Sequence, residues 1–132
     1  MALLVRLHRG TIFTLALALV AASACLRRHG PTQEAPPAGE VALSVTNHHW
    51  LDIVIYVIHD GQRTRIGTVT ASSAETFILP ARLLGQGREI QLVGHPIGGV
   101  QVAQTQVLIV QPGQYIEWTL ETNLRRSSVG VF

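Results

Sequence analysis

Residues 51–58 read LDIVIYVI, and this run limits the possible folds more than any other part of the chain. In an extended strand Leu51, Ile53, Ile55 and Val57 fall on one face and Val54, Tyr56 and Ile58 on the other, because strand side chains alternate with period two. Its length and β-branched content favour a strand over a helix. At about 3.3 Å per residue it spans roughly 26 Å, and apolar cover on both faces predicts a central strand. Asp60-Gly61 follows, a turn pair in which Gly tolerates positive φ, so the chain is expected to fold back as a hairpin onto residues 63–70.

Similar short runs continue along the chain. Val41, Leu43 and Val45 alternate with Ala42, Ser44 and Thr46 over residues 41–46. Phe77 and Leu79 share a face in residues 75–79, a strand ended by Pro80, which cannot donate to a ladder. Residues 81–87 read as a crossing loop with room for one helical turn. Ile90 and Leu92 point inward in residues 88–94, and residues 96–99 make a turn. Over residues 100–110 the apolar phase slips from Val100 and Val102 to Val107 and Ile109, which predicts a bulge around residues 104–106. Gln111-Pro112-Gly113-Gln114 fits a type II turn. Beyond it Ile116, Trp118 and Leu120 alternate with Tyr115, Glu117, Thr119 and Glu121, and residues 128–131 add a last short strand. About seven or eight strands with no amphipathic helix predict an all-β antiparallel sandwich over residues 41–132, immunoglobulin-like or transthyretin-like. The terminal Phe132 suits an outer-membrane barrel in isolation, but such a barrel needs strands of about 9–11 residues with one lipid-facing row.

The first 25 residues are built differently. Residues 1–10 contain Arg6 and Arg9 and no acid, and residues 11–24 (TIFTLALALVAASA) carry no charge. This is the layout of a secretory signal over residues 1–24. As a helix the apolar run measures about 21 Å, short of a hydrocarbon layer of about 30 Å. Ala22-Ser23-Ala24-Cys25 resembles the bacterial lipobox, with Ala22 where Leu is usual. The resemblance implies acylation of Cys25, the sole cysteine, and cleavage just before it. Leu26 after the cysteine implies delivery to the outer membrane, facing the periplasm. The same Ala-x-Ala also suits ordinary signal peptidase, which would release a soluble secreted or periplasmic protein. Residues 25–40 hold three prolines and two glycines in a segment too polar to bury a core, and read as a tether reaching up to roughly 45 Å.

The span from Asn47 to Leu120 also resembles small β-sandwich domains in bacterial lipoproteins of unknown function. Trp50-Leu51-Asp52, Asp60-Gly61, Ile66-Gly67-Thr68-Val69, residues 77–80, Pro96-Ile97-Gly98-Gly99 and Pro112-Gly113 carry the likeness. These are turn and core residues, so the likeness implies a fold and no activity.

Candidate chemistry is sparse. The formal charge of +2 resides in the leader: without Arg6 and Arg9, eight arginines face eight acids. Nucleic-acid binding needs a clustered basic face, and the only adjacent basic pairs are Arg27-Arg28 and Arg125-Arg126, so no nucleic-acid partner is expected. Ser72-Ser73 lacks a Gly-x-Ser-x-Gly elbow, and Asp52, Asp60, Glu75, Glu89, Glu117 and Glu121 show no acid–base pairing pattern. No enzyme activity and no cofactor are expected. His48, His49, His59 and His95, with His29 in the tether, read as surface or loop-end imidazoles. Their alternative role is as metal ligands, weakened because neighbours on a strand point to opposite faces. The expected function is that of an anchored structural or interaction module for an envelope protein or polysaccharide; the alternative is a periplasmic metal- or small-ligand carrier.

Overall fold

Val41, Leu43 and Val45, each followed by a more polar residue, set the register of the first strand, β1 (Val41–Asn47), which buries every second side chain. A computed structural model of the chain describes residues 39–132; the expected signal, Cys25 and residues 26–38 of the tether lie outside the described residues. The strands that follow are β2 (Ile53–His59), β3 (Gln62–Val69), β4 (Ala74–Leu79), β5 (Glu89–Pro96), β6 (Ala103–Gln104), β7 (Leu108–Ile109), β8 (Tyr115–Leu120) and β9 (Ser128–Val131). Short 3₁₀ turns occupy Ala81–Leu83 and Leu124–Arg126. Among the described residues no helix is long and apolar enough to cross a membrane.

The strands form two sheets, one ordered β4-β1-β8-β9 and the other β3-β2-β5-β6, with β7 also paired to β5. The domain is thus all-β, two sheets enclosing one core. Val41, Leu43, Val45, Ile116, Trp118 and Leu120 from the first sheet meet Ile53, Ile55, Val57, Val69, Ile90 and Leu92 from the second, all almost fully buried. A strand slipped by one residue would turn its whole set to water, at about 1.5–3 kcal/mol per large side chain, so the alternation locks the register. Gly94 admits this packing: a Cβ there would stand 3.0 Å from Ile53 Cγ2 and 3.3 Å from the Trp118 ring.

Asp60 and Gly61 both adopt positive φ, 47° and 73°, and close the β2–β3 hairpin in two residues, as their chemistry predicts. Gly113 at φ 82° and the Gln114 N–H on the Gln111 carbonyl match the expected turn before β8. β2 is central in its sheet, between β3 and β5. Its second face, with Val54, Tyr56 and Ile58, is the half-buried outer surface of the sandwich and not a second core.

Two expectations need correction. The sandwich is not wholly antiparallel, because β1 runs parallel to β8, with Ala42 opposite Tyr115 and Asn47 opposite Leu120. Alternation reports which face a residue takes and is blind to strand direction. Residues 100–110 form two two-residue strands instead of one long one, giving nine in all, and the phase is the reverse of the expected one. Val100, Val107 and Ile109 are exposed, while Ala103, Thr105, Leu108 and Val110 are buried. The cause is Thr105, whose Oγ1 accepts the Leu92 N–H at 3.0 Å while its own N–H donates to the Leu92 carbonyl. A hydroxyl takes a backbone acceptor's place, and the chain leaves the ladder until Leu108. The expected bulge is present in effect, since Val93 pairs with Gln104 but Ile90 with Leu108, so that residues 105–107 stand opposite only residues 91–92. A second bulge, not expected, lies in β3. Ile55 pairs with Gly67 and Tyr56 with Arg65, so Ile66 is the inserted residue.

Candidate functional site

Because β1 and β8 run the same way, their C-terminal ends reach one pole of the sandwich, where β2, β4 and β9 begin and β3 and β5 end. The loops 48–52, 70–73, 97–102 and 121–127 therefore gather there. Asn47, the last residue of β1, fastens them. It is fully buried, and its Nδ2 donates to the carbonyls of Leu51 (3.0 Å), Thr70 (3.1 Å) and Val69 (3.3 Å). Its Oδ1 accepts the His49 N–H at 2.9 Å. Asp52 Oδ1 accepts the Ala71 N–H, and the Asp52 carbonyl accepts the Ile97 N–H, each within 3.0 Å. Gln101 Oε1 accepts the Leu124 N–H at 2.9 Å. Four loops are thus cross-linked by side-chain and backbone bonds.

His49 is buried under this frame, 4% exposed, and its Nδ1 accepts the Leu51 N–H at 3.1 Å, which puts the ring proton of the neutral form on Nε2. Trp50 stacks on it, centroids 4.1 Å apart and planes 23° from parallel. One indole face is covered by imidazole, yet the residue remains 66% exposed. Beside it lies a cleft of about 420 Å³ bounded by Leu51, Pro96, Gly99, Val100 and Gln101. Gly99 floors the cleft, since a Cβ there would stand 2.9 Å from Pro96 Cγ and 3.1 Å from Leu51 Cδ1. A second cleft of about 480 Å³ is lined by Glu121, Thr122, Asn123 and Arg126. His48 stands beside it, Nδ1 3.6 Å from Glu121 Oε2, with its carbonyl accepting from Thr122 Oγ1. An exposed, braced aromatic on a mainly apolar cleft, with a polar cleft at the same pole, can stack on a ring or an apolar side chain.

The histidines named from the sequence do not converge. His48 is exposed and His49 buried, next to one another at this pole. His59 is buried too, at the far end of β2, with Nδ1 3.5 Å from Asp60 Oδ2 and no hydrogen bond. His95 lies half-buried on the outer face of the second sheet, edge-on to Tyr56. Among the described residues no three His, Cys, Asp or Glu side chains are grouped to hold a metal ion. His29 and Cys25 lie outside the described residues. Trp50, named in the sequence only among the residues that carry the likeness to lipoprotein sandwiches, is held exposed by the fold; its place after His48 and His49 was visible, its stacking was not.

No protein-family model matches the chain, and no curated protein matches it. Among solved structures, an NMR structure of a protein from Eubacterium rectale is similar over 71% of this chain and 87% of its own, with TM-score 0.42 and 14% identity. A structure described as a trapped toxin is similar over 70% of this chain and 23% of its own, with TM-score 0.32 and 14% identity. Likeness at this level supports no assignment of family or activity.

Proposed function

We propose that this chain is a non-enzymatic binding module of the bacterial cell envelope, held by an acylated Cys25 at the outer membrane facing the periplasm, and that the Trp50 pole receives a protein or polysaccharide partner. The observation that carries the reading is Trp50 itself: two-thirds exposed, stacked on a buried imidazole, and placed by a fully buried asparagine. Trp50 and the fully exposed Val100 line one cleft; clustered exposed apolar residues, unlike single ones, mark interaction sites, and aromatics are enriched among residues that dominate binding energy. The lipobox-like Ala22-Ser23-Ala24-Cys25 supports the anchor. So does the geometry of entry, since Glu40 leads into β1 at the end opposite Asn47, about 20 Å away along the strand.

Within the sandwich folds, strand order supports the transthyretin-like type over the immunoglobulin-like one. The immunoglobulin arrangement keeps its first two strands in one sheet, whereas β1 and β2 here lie in opposite sheets. The carrier alternative draws no support from histidines that do not converge on one point.

Two measurements test the proposal. Intact mass of the membrane-extracted protein should show acyl groups on residue 25, and Cys25→Ser should move the protein to the soluble fraction; unchanged membrane association defeats the anchor. A photo-crosslinker at Val100, which is fully exposed beside Trp50, should yield a discrete adduct in intact cells that Trp50→Ala abolishes. Adducts indifferent to Trp50 defeat the site.

A further inference from the structure

The bulge in β3 decides where two arginines point. Val69 faces the core, and in a regular strand residues 67, 65 and 63 would follow it inward. Inserting Ile66 reverses the phase: Ile66 packs on the core, while Arg63 and Arg65 stand exposed on the outer face of the second sheet. Each is held there. The Arg63 guanidinium lies 3.8 Å over the Tyr56 ring, and Arg65 Nη2 donates to Thr68 Oγ1 at 3.0 Å. His95 meets the same Tyr56 edge-on at 5.9 Å. The cross-strand rows of this face are Thr68–Val54–His95, Arg65–Tyr56–Val93 and Arg63–Ile58–Gln91. They carry two guanidiniums and no acid, and among the described residues neither arginine has a carboxylate partner.

We propose that this face binds an acidic polysaccharide, with Arg63 and Arg65 taking its carboxylates and Thr68, Tyr56 and His95 meeting its hydroxyls. Charge complementarity points to the occupant. Stacking on Tyr56 occupies one flat face of the Arg63 guanidinium and leaves its in-plane N–H donors free for a carboxylate fork. Two residues apart on one strand face, the arginines are spaced by about 6.6 Å, on a platform of roughly 13 by 10 Å that suits successive sugars of an extended chain. An anionic leaflet would call for a larger cluster of about four to eight basic residues. Charges placed only to block edge pairing would need neither the aromatic seat nor the phase reversal. The inference is independent of the Trp50 site.

Retention of the full-length, detergent-purified chain on immobilised polygalacturonate tests it, with dextran as neutral comparator and phosphatidylglycerol vesicles as the membrane arm. The expected result is salt-sensitive retention on polygalacturonate alone. Affinity should fall about tenfold or more in the double variant R63Q/R65Q, with an unchanged circular dichroism spectrum, and stay unchanged in R82Q, an exposed arginine elsewhere. Absence of wild-type retention on polygalacturonate, equal retention on dextran, binding to the vesicles alone, or a double variant that binds like wild type would overturn it.

Discussion

Replacing Asn47 by Ala asks whether a single amide holds the Trp50 pole together. The side chain is fully buried and serves three carbonyls and one N–H. In the variant the part-buried carbonyls of Leu51 and Thr70 can recruit water. The Val69 carbonyl and the His49 N–H lie in buried contacts and lose their side-chain partner. Each orphaned buried group costs about 1–3 kcal/mol, so the expected loss is about 3 kcal/mol. For a domain of fewer than 100 residues that corresponds to a fall in Tm of roughly 12–24 °C. Asn47→Asp sharpens the test. It is nearly isosteric and keeps an acceptor for the His49 N–H, but it aims a carboxylate oxygen at three carbonyl oxygens in the interior. An uncompensated buried charge costs more than a missing hydrogen bond, so Asp should be at least as destabilising as Ala. Guanidinium unfolding followed by circular dichroism, with m-values compared, measures both. Losses below about 1 kcal/mol, or an Asp variant more stable than the Ala one, would refute the reasoning.

Other substitutions probe the core and the broken strand. Gly94→Ala should cost about 1–3 kcal/mol, because its new methyl meets Ile53 and Trp118, both fully buried and unable to yield. Gly67→Ala should cost less although its methyl runs into the Phe77 ring, since that ring is only half-buried and can swing out; urea melts that reverse this order contradict the packing account. Thr105→Val removes the acceptor of the Leu92 N–H and should speed exchange of that amide and cost about 1–3 kcal/mol, while Thr105→Ser should preserve most of the protection. Trp118→Ala should lose about 3–5 kcal/mol against less than about 1 kcal/mol for Trp50→Ala, since the first side chain is buried and the second exposed; similar losses would deny Trp50 its role as a surface residue.

What the sequence revealed was whatever follows from period two and from turn chemistry. Inward faces of β1, β5 and β8 were legible because one face is core and the other solvent, and Asp60-Gly61 and Pro112-Gly113 dictate their own backbone. Residues 100–110 misled for a physical reason. Val and Ile there are exposed while Ala103 and Thr105 are buried, because short strands at a sheet edge are placed by the bonds of Thr105 to Leu92 and not by apolar burial. The arginine face escaped notice because Arg63 and Arg65 share a face with Val69 until an inserted residue changes the count; Gly67 beside it was the one signal of a bulge. His49 looked like a loop residue and is buried because Asn47 and Trp50 enclose it.

The candidate site itself depends on the feature that hydrophobic alternation could not report. Were β8 antiparallel to β1, Leu120 and the loop after it would lie beside Glu40, at the end where β1 begins. With β8 parallel, Leu120 comes opposite Asn47, its carbonyl accepts the His48 N–H, and Glu121 is brought to 3.6 Å from the His48 ring. A parallel neighbour must be reached by a long crossover, here the entire second sheet together with β4, and that detour carries residues 97–102 to the same pole, where Gln101 receives the Leu124 N–H. The strand pairing that separates Glu40 from Trp50 is thus the same pairing that gathers the cleft-lining loops. The entry of Glu40 at one end and the Trp50 clefts at the other follow from one topological choice.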